Sequence, residues 1–429
     1  MSERVCRENA PIWLCVKIST FMATYRVYYD DAFVQNFTAR VVSCVPAEPF
    51  QTAFGAKPAW EVVLDRTALY PTSGGQPNDL GRLGEANILD VRDDGDDVAH
   101  IVDREVAAGT VVDGCIDWPR RFDHMQQHTG QHLLSAMFQE RYGLPTVSFH
   151  LGADLCTIDL RGPEPSLEAL QGAQRAANKA IFEDRPVTMR YGTAEELAER
   201  GVRKQVEREG ILRAVEIEGA DLQPCGGTHV KSTGQIGLIL VRRCTKIRQD
   251  WRVEFACGGR AEQLATADFQ LLRGIGDRLT CAPEEAIAAI DKACGERDAS
   301  AKALCLTLQQ LAEARANLMI ANTAVGNNGV RCVATLFREE NPELLLPLAT
   351  ELTKSEKTVA LLVHEPTGQL VFAQSPGAGL DLGTLLKQVL GAVSGKGGGT
   401  RDFVRAKLAD PTRSTAALTH ARQLAGAAQ

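Results

Sequence analysis

Two histidines four residues apart, His128 and His132, constrain this chain more than any other feature. The surrounding residues predict a helix, because Leu133, Leu134 and Met137 recur at helical spacing and no proline interrupts them. Positions four apart lie on one face of a helix, so the two imidazoles can bind one metal ion. Histidine pairs of this kind are also common on surfaces and in cores, so a second pair of ligands is needed.

That second pair is found in the segment Cys225-Gly-Gly-Thr-His229. A thiolate and an imidazole flank two glycines, which let the backbone turn tightly and approach a ligand closely. The two pairs together supply four nitrogen and sulfur donors, the number that tetrahedral zinc takes. We therefore predict one zinc ion per chain, with the ligands His128, His132, Cys225 and His229. The alternative is a glycine-rich turn that carries Cys225 and His229 by chance.

The motifs resemble those of the editing domain of alanyl-tRNA synthetases and of its free-standing relatives, the AlaX proteins. The resemblance rests on four segments in the order of that family: the glycine-rich segment 70–81, the paired histidines, Cys-Gly-Gly-Thr-His, and the segment 251–261. Near the C-terminus, Gly395-Lys-Gly-Gly-Gly-Thr-Arg401 is not a Walker loop. It is similar to the C-terminal domain of alanyl-tRNA synthetases, the longer AlaX proteins and DHH-type phosphoesterases. By resemblance, the chain is identified as a member of the long AlaX class.

The strand and helix patterns and this resemblance predict an α+β protein. Its segments are an N-terminal extension (1–21), a small barrel-like β-rich domain with the glycine-rich motif (22–120), an α+β zinc-binding editing core (121–260), a helical linker (261–325) and a C-terminal α/β domain with the GKGGG motif (326–429). Met22 is an alternative start to Met1. Twelve scattered cysteines without a Cys-x-x-Cys pair favour a reducing cytoplasm. No segment is long and apolar enough to predict a membrane span.

The resemblance implies a zinc-dependent deacylase that hydrolyses mischarged Ser-tRNA(Ala), or Gly-tRNA(Ala), in trans. Editing is needed because a binding pocket rejects a slightly different amino acid poorly. Two alternatives remain, a deacylase for Ser-tRNA(Thr) and a non-catalytic tRNA-binding adaptor with a structural zinc. Four protein ligands would close a zinc site, so either water or substrate displaces one ligand or the zinc anchors the pocket. No residue is assigned as a general base.

Two groups of residues are expected to border the substrate. The first is the glycine-rich loop, with Gly74, Gly75 and Gln76. The resemblance places this loop at the editing pocket, and a tight hairpin that needs glycine for positive φ is the alternative. The second group, Thr146 and Ser148, follows the predicted helix and is a candidate for binding the hydroxyl that distinguishes serine from alanine. In many relatives threonine precedes the second histidine, where this chain has Gln131.

The net charge of −7 does not favour a nucleic-acid partner, so tRNA would need local basic patches. The first patch lies between two predicted strands of the editing core and contains Arg242, Arg243, Lys246 and Arg248. The second lies in the C-terminal domain, with Lys396 and Arg401. A solvated hairpin face and a structural glycine turn are the respective alternatives. A homodimer through the C-terminal region is left open.

Overall fold

The computed structural model describes residues 23–53, 55–204, 209–327 and 329–427. The predicted N-terminal extension and Met22 lie outside these ranges. The chain divides into two compact units, one up to Leu271 and the other from Leu272. Helices and strands occur in both units, which confirms the predicted mixed α and β composition. The boundaries of the five predicted segments stay predictions.

The first unit contains six strands that close into a barrel. In the order in which they neighbour one another they are Asn36–Thr52, Gly55–Leu64, Asp97–Val102, Ala86–Asp94, Gly81–Leu83 and Val111–Ile116. A short parallel pair, Tyr25–Arg26 with Arg66–Thr67, stands beside them, and Val27–Tyr29 forms a 3-10 turn. Inward-facing side chains of the barrel form a core that includes Val41, Val62 and Val91.

The helix that carries the two histidines spans Trp118–Tyr142, as the sequence predicts, and is called the histidine helix below. The Asp117 side chain accepts a hydrogen bond from the backbone N–H of Arg120 at its start, and Gly143 takes the left-handed conformation at its end. Its middle part is buried on all sides, which is typical of a helix inside a core rather than on a surface.

Two sheets and two further helices complete the core around the histidine helix. The four-stranded sheet has the order Ile239–Ile247, Asp250–Cys257, Cys156–Arg161 and Thr146–Leu151, and the three-stranded sheet has the order Val187–Gly192, Leu212–Ile217 and Asp221–Pro224. The helices are Leu167–Phe182, which the Ser166 side chain caps, and Ala194–Glu199, which begins with a capping box at Thr193. The strand Ile239–Ile247 pairs with the strand Asp250–Cys257, and a 3-10 turn at Thr233–Ile236 precedes it.

The second unit is a sheet with helices. Long helices occur where they are predicted, at Gly258–Leu279, which crosses the division between the units, and at Ala286–Asn322. The sheet has the order Arg331–Phe337, Thr358–His364, Gln369–Gln374, Phe403–Leu408 and Gly395–Gly399, and the helices are Leu345–Leu352, Leu382–Val393 and Ser414–Ala427. Short 3-10 turns are Pro283–Glu285, Pro342–Leu344 and Pro411–Arg413.

Two details of this unit differ from the sequence expectation. The first two strands of the sheet pair in parallel, and the other described pairs are antiparallel, so the alternation of strands and helices yields a mixed sheet. Gly395–Gly399 form an edge strand against Phe403–Leu408 instead of a turn, and their part in tRNA binding stays a prediction. Among the residues described, none of the helices has the length and apolar character that a membrane crossing needs.

Candidate metal centre

Four potential metal ligands meet at one point in the first unit. His128 and His132 come from the histidine helix, and Cys225 and His229 from the turn after the strand Asp221–Pro224. Their ligand atoms all lie within 4.8 Å of one another. The Cys225 Sγ is 3.5 Å from the Nε2 of His128 and 3.2 Å from the Nε2 of His229. Tetrahedral zinc with ordinary bond lengths holds sulfur and nitrogen donors about 3.5 Å apart, so this metal cluster fits zinc.

Each histidine of the metal cluster is held by a contact to its other ring nitrogen. The three contacts are His128 Nδ1 to Gln76 Oε1 at 2.9 Å, His132 Nδ1 to Asp221 Oδ2 at 3.0 Å and His229 Nδ1 to Thr129 Oγ1 at 3.2 Å. An amide oxygen and a carboxylate only accept, so Nδ1 carries the proton in the first two contacts. This arrangement leaves Nε2 without a proton and turned toward the metal, as in known zinc sites.

Gln76 lies between two barrel strands in the sequence, and its side chain contacts the metal cluster at His128. Its side chain is fully buried, and its Oε1 also accepts a hydrogen bond from the Thr228 backbone N–H at 3.1 Å. Its Nε2 donates to the Thr228 Oγ1 at 2.8 Å. The structure thus places Gln76 against His128, where it orients the imidazole and fixes the residue next to His229.

The glycine-rich loop lies behind an aromatic ring that covers the cluster. Gly74 and Gly75 both have positive φ, in a turn closed by backbone hydrogen bonds between Ser73 and Gln76. A Cβ on Gly75 would lie 3.1 Å from the ring of Phe149. Phe149 stacks on His128, with ring centroids 5.5 Å apart. Small residues in the loop therefore allow Phe149 to cover one side of the cluster.

The ligands of the cluster differ in their pKa values. Burial acts to lower the pKa of His132, but the hydrogen bond to Asp221 and the neighbouring Cys225 outweigh it and raise this pKa to about 9. Asp221 also accepts from the Arg203 Nε at 2.7 Å. Burial acts to raise the pKa of Cys225, but the surrounding imidazoles outweigh it and hold this pKa well below its usual value. Burial lowers the pKa of His229 to about 3. A thiolate and a neutral imidazole are the forms that bind zinc, so Cys225 and His229 are already in the binding form, whereas zinc binding would displace a proton from His132.

The turn that carries Cys225 is fixed by close contacts. The Arg213 Nη1 donates to the carbonyl oxygens of Cys225 and Gly227, at 2.7 and 3.0 Å. The Gly227 N–H is 3.4 Å from the Cys225 Sγ, so it stabilises a thiolate. A Cβ on Gly227 would lie 2.2 Å from the His128 Cε1, which leaves room for glycine alone.

The two residues expected to bind a serine hydroxyl differ in position. The Thr146 Oγ1 donates to the Ser135 Oγ at 2.8 Å, and the Gln131 Nε2 donates to the same oxygen at 2.9 Å. Gln131 follows His128 by three residues, and Ser135 follows His132 by three residues. Both therefore lie on the helix face that carries the ligands. Ser148 is exposed, further along the strand. The structure brings Thr146 to the histidine helix and leaves Ser148 at the surface.

The first basic patch lies on the hairpin of the four-stranded sheet. Arg242 forms an ion pair with Asp268, so its charge is compensated. Arg243, Lys246 and Arg248 are exposed. Arg248 has positive φ in the turn of the hairpin. Three cations of this patch therefore face solvent.

The second basic patch belongs to the second unit. Lys396 is exposed on the edge strand Gly395–Gly399, opposite Lys407 in the register. Arg401 lies in the turn that follows this strand, and its Nε donates to the Leu380 carbonyl oxygen at 3.4 Å. The edge strand and its turn thus present several cations on one margin of the sheet.

Five residues around the metal cluster received no role from the sequence. They are Thr129, Phe149, Arg203, Asp221 and Thr228. Two of them, Thr129 and Thr228, adjoin predicted ligands, and this adjacency was the only available signal. The other three meet the cluster through folding alone.

Comparison with protein families defines the class of the protein. Residues 212–252 match the threonyl and alanyl tRNA synthetase second additional domain, and residues 15–120 match the class II (A) tRNA synthetases. The first of these matches contains Cys225 and His229. The chain therefore contains two segments similar to domains of tRNA synthetases, and two of the four donors lie in the first of these matches.

Full-length relatives identify the family. The chain is 32% identical over 403 residues to the alanyl-tRNA editing protein AlaX-L of Pyrococcus horikoshii, covering 89% of this chain and 94% of that protein. It is 30% identical over 392 residues to the alanyl-tRNA editing protein Aarsd1 of Rattus norvegicus, with the same two coverages. An alanine–tRNA ligase of Ignicoccus hospitalis is 30% identical over 396 residues, which are 88% of this chain and 40% of the ligase. The chain belongs to the family of alanyl-tRNA editing proteins, which confirms the resemblance to AlaX.

Proposed function

We propose that this protein is a free-standing, zinc-dependent deacylase that removes serine from mischarged Ser-tRNA(Ala) in trans. The observation that carries the proposal is the convergence of three imidazoles and one thiolate, with every imidazole oriented through its Nδ1. The relatives are named as alanyl-tRNA editing proteins, and editing after aminoacylation is the hydrolysis of an ester. Gly-tRNA(Ala) is a further substrate of the same class.

The residues of the site act mainly by binding and orientation. The metal cluster would hold one zinc ion through His128, His132, Cys225 and His229. Zinc bound there would supply a Lewis acid for the ester once water or substrate displaces one of these four ligands. The ester between an amino acid and ribose is already activated, so a positioned water suffices for its hydrolysis. Phe149 shields one side of the cluster from bulk solvent, and Gln76 keeps the His128 ring in place.

Thr146 is the residue that we assign to recognition of the serine hydroxyl. Its Oγ1 belongs to a chain of polar groups that includes Ser135 and Gln131, on the ligand-bearing face of the histidine helix. A site that hydrogen-bonds a hydroxyl rejects a substrate that lacks it, because its own polar groups would then stay unpaired. Thr146→Val should lower kcat/KM for Ser-tRNA(Ala) about tenfold, as expected for one lost hydrogen bond. Ser148→Ala is the matched control and should leave kcat/KM unchanged.

The partner in this proposal is tRNA, bound through its phosphates by cations that form no ion pair among the described residues. Candidates are Arg243, Lys246 and Arg248 on the hairpin and Lys396 and Arg401 in the second unit, whereas the charge of Arg242 is engaged by Asp268. Phosphate contacts position a nucleic acid without reading its sequence. Basic patches thus allow an acidic protein to bind RNA.

The test is a deacylation assay with Ser-tRNA(Ala), Ala-tRNA(Ala) and Ser-tRNA(Thr). We expect hydrolysis of Ser-tRNA(Ala), its loss on treatment with a chelator and its return with added zinc, while Ala-tRNA(Ala) is spared. Faster turnover of Ser-tRNA(Thr) would instead support the threonyl alternative. His132→Ala should abolish turnover and retain tRNA binding, which separates an enzyme from an adaptor. Inertness toward all three substrates would overturn the proposal.

A further inference from the structure

A cavity of about 590 Å³ lies in the first unit, apart from the metal cluster, and is called the second cavity below to distinguish it from that site. It is formed by the start of the histidine helix, the start of the helix Gly258–Leu279, and the loops at Pro77 and Gly152. Its polar lining residues are Arg120, Asp123, His124, Gln126, Arg260 and Gln263. None of these residues has a part in the proposed chemistry of the metal cluster.

His124 has a hydrogen-bonding group for which the protein supplies no partner. The residue lines the second cavity and is 2% exposed. Its Nδ1 is buried, and within the described part of the chain no group hydrogen-bonds to it. A buried polar atom left unpaired costs about 1–3 kcal/mol, so a ligand that pairs with Nδ1 is favoured. An imidazole N–H can donate to an anion.

The charges around the second cavity leave one cation uncompensated. Arg260 holds the Asp123 carboxylate through Nε and Nη2, at 2.8 and 2.6 Å, and its Nη1 donates to the Gly152 carbonyl oxygen at 2.7 Å. The charge of Asp123 is therefore neutralised. The Arg120 Nε donates to the Asn78 carbonyl oxygen at 3.1 Å. Among the described residues, no carboxylate forms an ion pair with Arg120, so the cavity is cationic.

Two helices also point their N-termini at the second cavity. Pro119 in the first turn of the histidine helix and Gly259 in the first turn of the helix Gly258–Leu279 both line it. Neither helix has an acidic residue in its first turn. The N-terminus of a helix carries partial positive charge and favours anions. The Asp117 carboxylate caps the start of the histidine helix, so it is the start of the helix Gly258–Leu279 that adds to the positive potential created by Arg120.

We propose that the second cavity binds a phosphate group of the tRNA acceptor strand whose 3′ end reaches the metal cluster. The identification of tRNA as the molecule that carries this phosphate rests on the proposed function. His124 precedes His128 by one helical turn, about 5.4 Å, on the same face of the helix. In an aminoacyl-tRNA a single ribose separates the ester from the nearest phosphodiester. One strand can therefore present its ester to the metal cluster and a phosphate to this cavity.

The test measures binding of uncharged tRNA(Ala) to the full chain at several salt concentrations, so it does not require deacylation. Arg120→Gln should weaken binding about three- to tenfold and lower the slope of log K against log salt by about 0.7–0.9, the contribution of one phosphate. Arg120→Lys keeps the charge and should keep the slope. Arg82→Gln is the matched control, because Arg82 lies on the barrel surface in an exposed ion pair with Glu85. An unchanged slope in Arg120→Gln would overturn the proposal.

Calorimetric titration with inorganic phosphate separates RNA from a free anion as the source. If Arg120→Gln removes phosphate binding without changing the tRNA affinity, the cavity binds a free anion and not the tRNA, which refutes the proposal. Loss of both kinds of binding supports the proposal. A different result would contradict the proposed function alone: the phosphate contact with tRNA is present, but Ser-tRNA(Ala) is not hydrolysed.

Discussion

Each candidate histidine ligand is oriented by a different kind of acceptor: an amide at His128, a carboxylate at His132 and a hydroxyl at His229. Partners of this kind fix the orientation and tautomer of the ring, and their loss typically costs about 10–100-fold in metal affinity. Gln76 belongs to the glycine-rich loop, Asp221 to the strand Asp221–Pro224 and Thr129 to the histidine helix itself. At the scale of the residue, the affinity of the site therefore depends on side chains that do not contact the metal.

Asp221→Asn tests this dependence. The amide retains an oxygen for the His132 Nδ1–H but loses the charge that balances Arg203, so the zinc affinity should fall about tenfold or more. Competition with a chelating dye measures the affinity. Asp250→Asn is the control, because Asp250 pairs with Arg161 on the surface and should have no effect. Equal zinc affinities of the two variants would show that Asp221 has no such role.

Gly227→Ala and Gly226→Ala form a second matched pair. A Cβ on Gly227 would lie 2.2 Å from the His128 ring, so that ring must move and zinc binding should be lost or reduced at least tenfold. A Cβ on Gly226 has no heavy atom nearer than the Tyr29 hydroxyl at 3.9 Å, so this variant should bind zinc normally. Zinc content after dialysis measures both. Normal zinc content in Gly227→Ala would contradict the position of His128 as a zinc ligand next to Gly227.

At the scale of the element, a buried ion pair joins the histidine helix to the barrel. Arg121 pairs with Asp79, and both side chains are fully buried. The Arg121 guanidinium also donates to the carbonyl oxygens of Ala32 and Ala68, at 2.8 and 2.6 Å, and Asp79 accepts from the Tyr70 N–H at 2.6 Å. The polar groups of the pair are thus matched, as a buried pair requires.

Arg121→Met should lower the free energy of unfolding by about 3–5 kcal/mol, because it leaves the Asp79 charge buried without a partner. The double variant Asp79→Asn, Arg121→Met should regain part of this loss. Urea denaturation measures the change. Arg82→Met removes an exposed ion pair and should cost about 1 kcal/mol or less. A loss in Arg121→Met no greater than in Arg82→Met would contradict the joining role.

A buried histidine in the barrel makes stability depend on pH. His100 is fully buried, its Nδ1 donates to the Val62 carbonyl oxygen at 3.0 Å, and its Nε2 accepts from the Thr67 hydroxyl at 2.9 Å. Burial lowers the pKa of His100 to about 4, from an ordinary value of 6.5. Between these two values the unfolded chain binds a proton that the folded chain excludes. The stability contributed by neutral His100 is complete above about pH 6.5 and is lost as the pH falls toward 4.

The expected size of this effect at pH 5 is about 2 kcal/mol relative to pH 7. His100→Gln cannot be protonated, so it should lose less stability than the unchanged protein over this range. Urea denaturation at pH 7 and pH 5 measures the difference. His150→Gln, at an exposed position, should behave as the unchanged protein does. The same pH response in His100→Gln would exclude His100 as its cause.

At the scale of the whole molecule, local order was predictable and long-range contact was not. The helix at Trp118–Tyr142 and the caps at Ser166 and Thr193 follow from spacing and side-chain chemistry within a few residues. The four candidate ligands could be identified because they lie in two short motifs. Asp221 could not, because it reaches the cluster only when segments far apart in the chain pack together. Gln76 was expected near the pocket from the resemblance, but its contact with His128 was not. Phosphate binding at the second cavity likewise has no sequence signal, since it combines a helix end with an arginine and a buried imidazole.

The central claim is that three imidazoles and one thiolate hold zinc in this chain. X-ray absorption at the zinc edge, on the full-length protein purified with zinc, tests it most directly. We expect one zinc per chain, with three nitrogen neighbours at about 2.0–2.1 Å and one sulfur at about 2.3 Å. A chain that retains no zinc, or a zinc environment without sulfur, would contradict the claim.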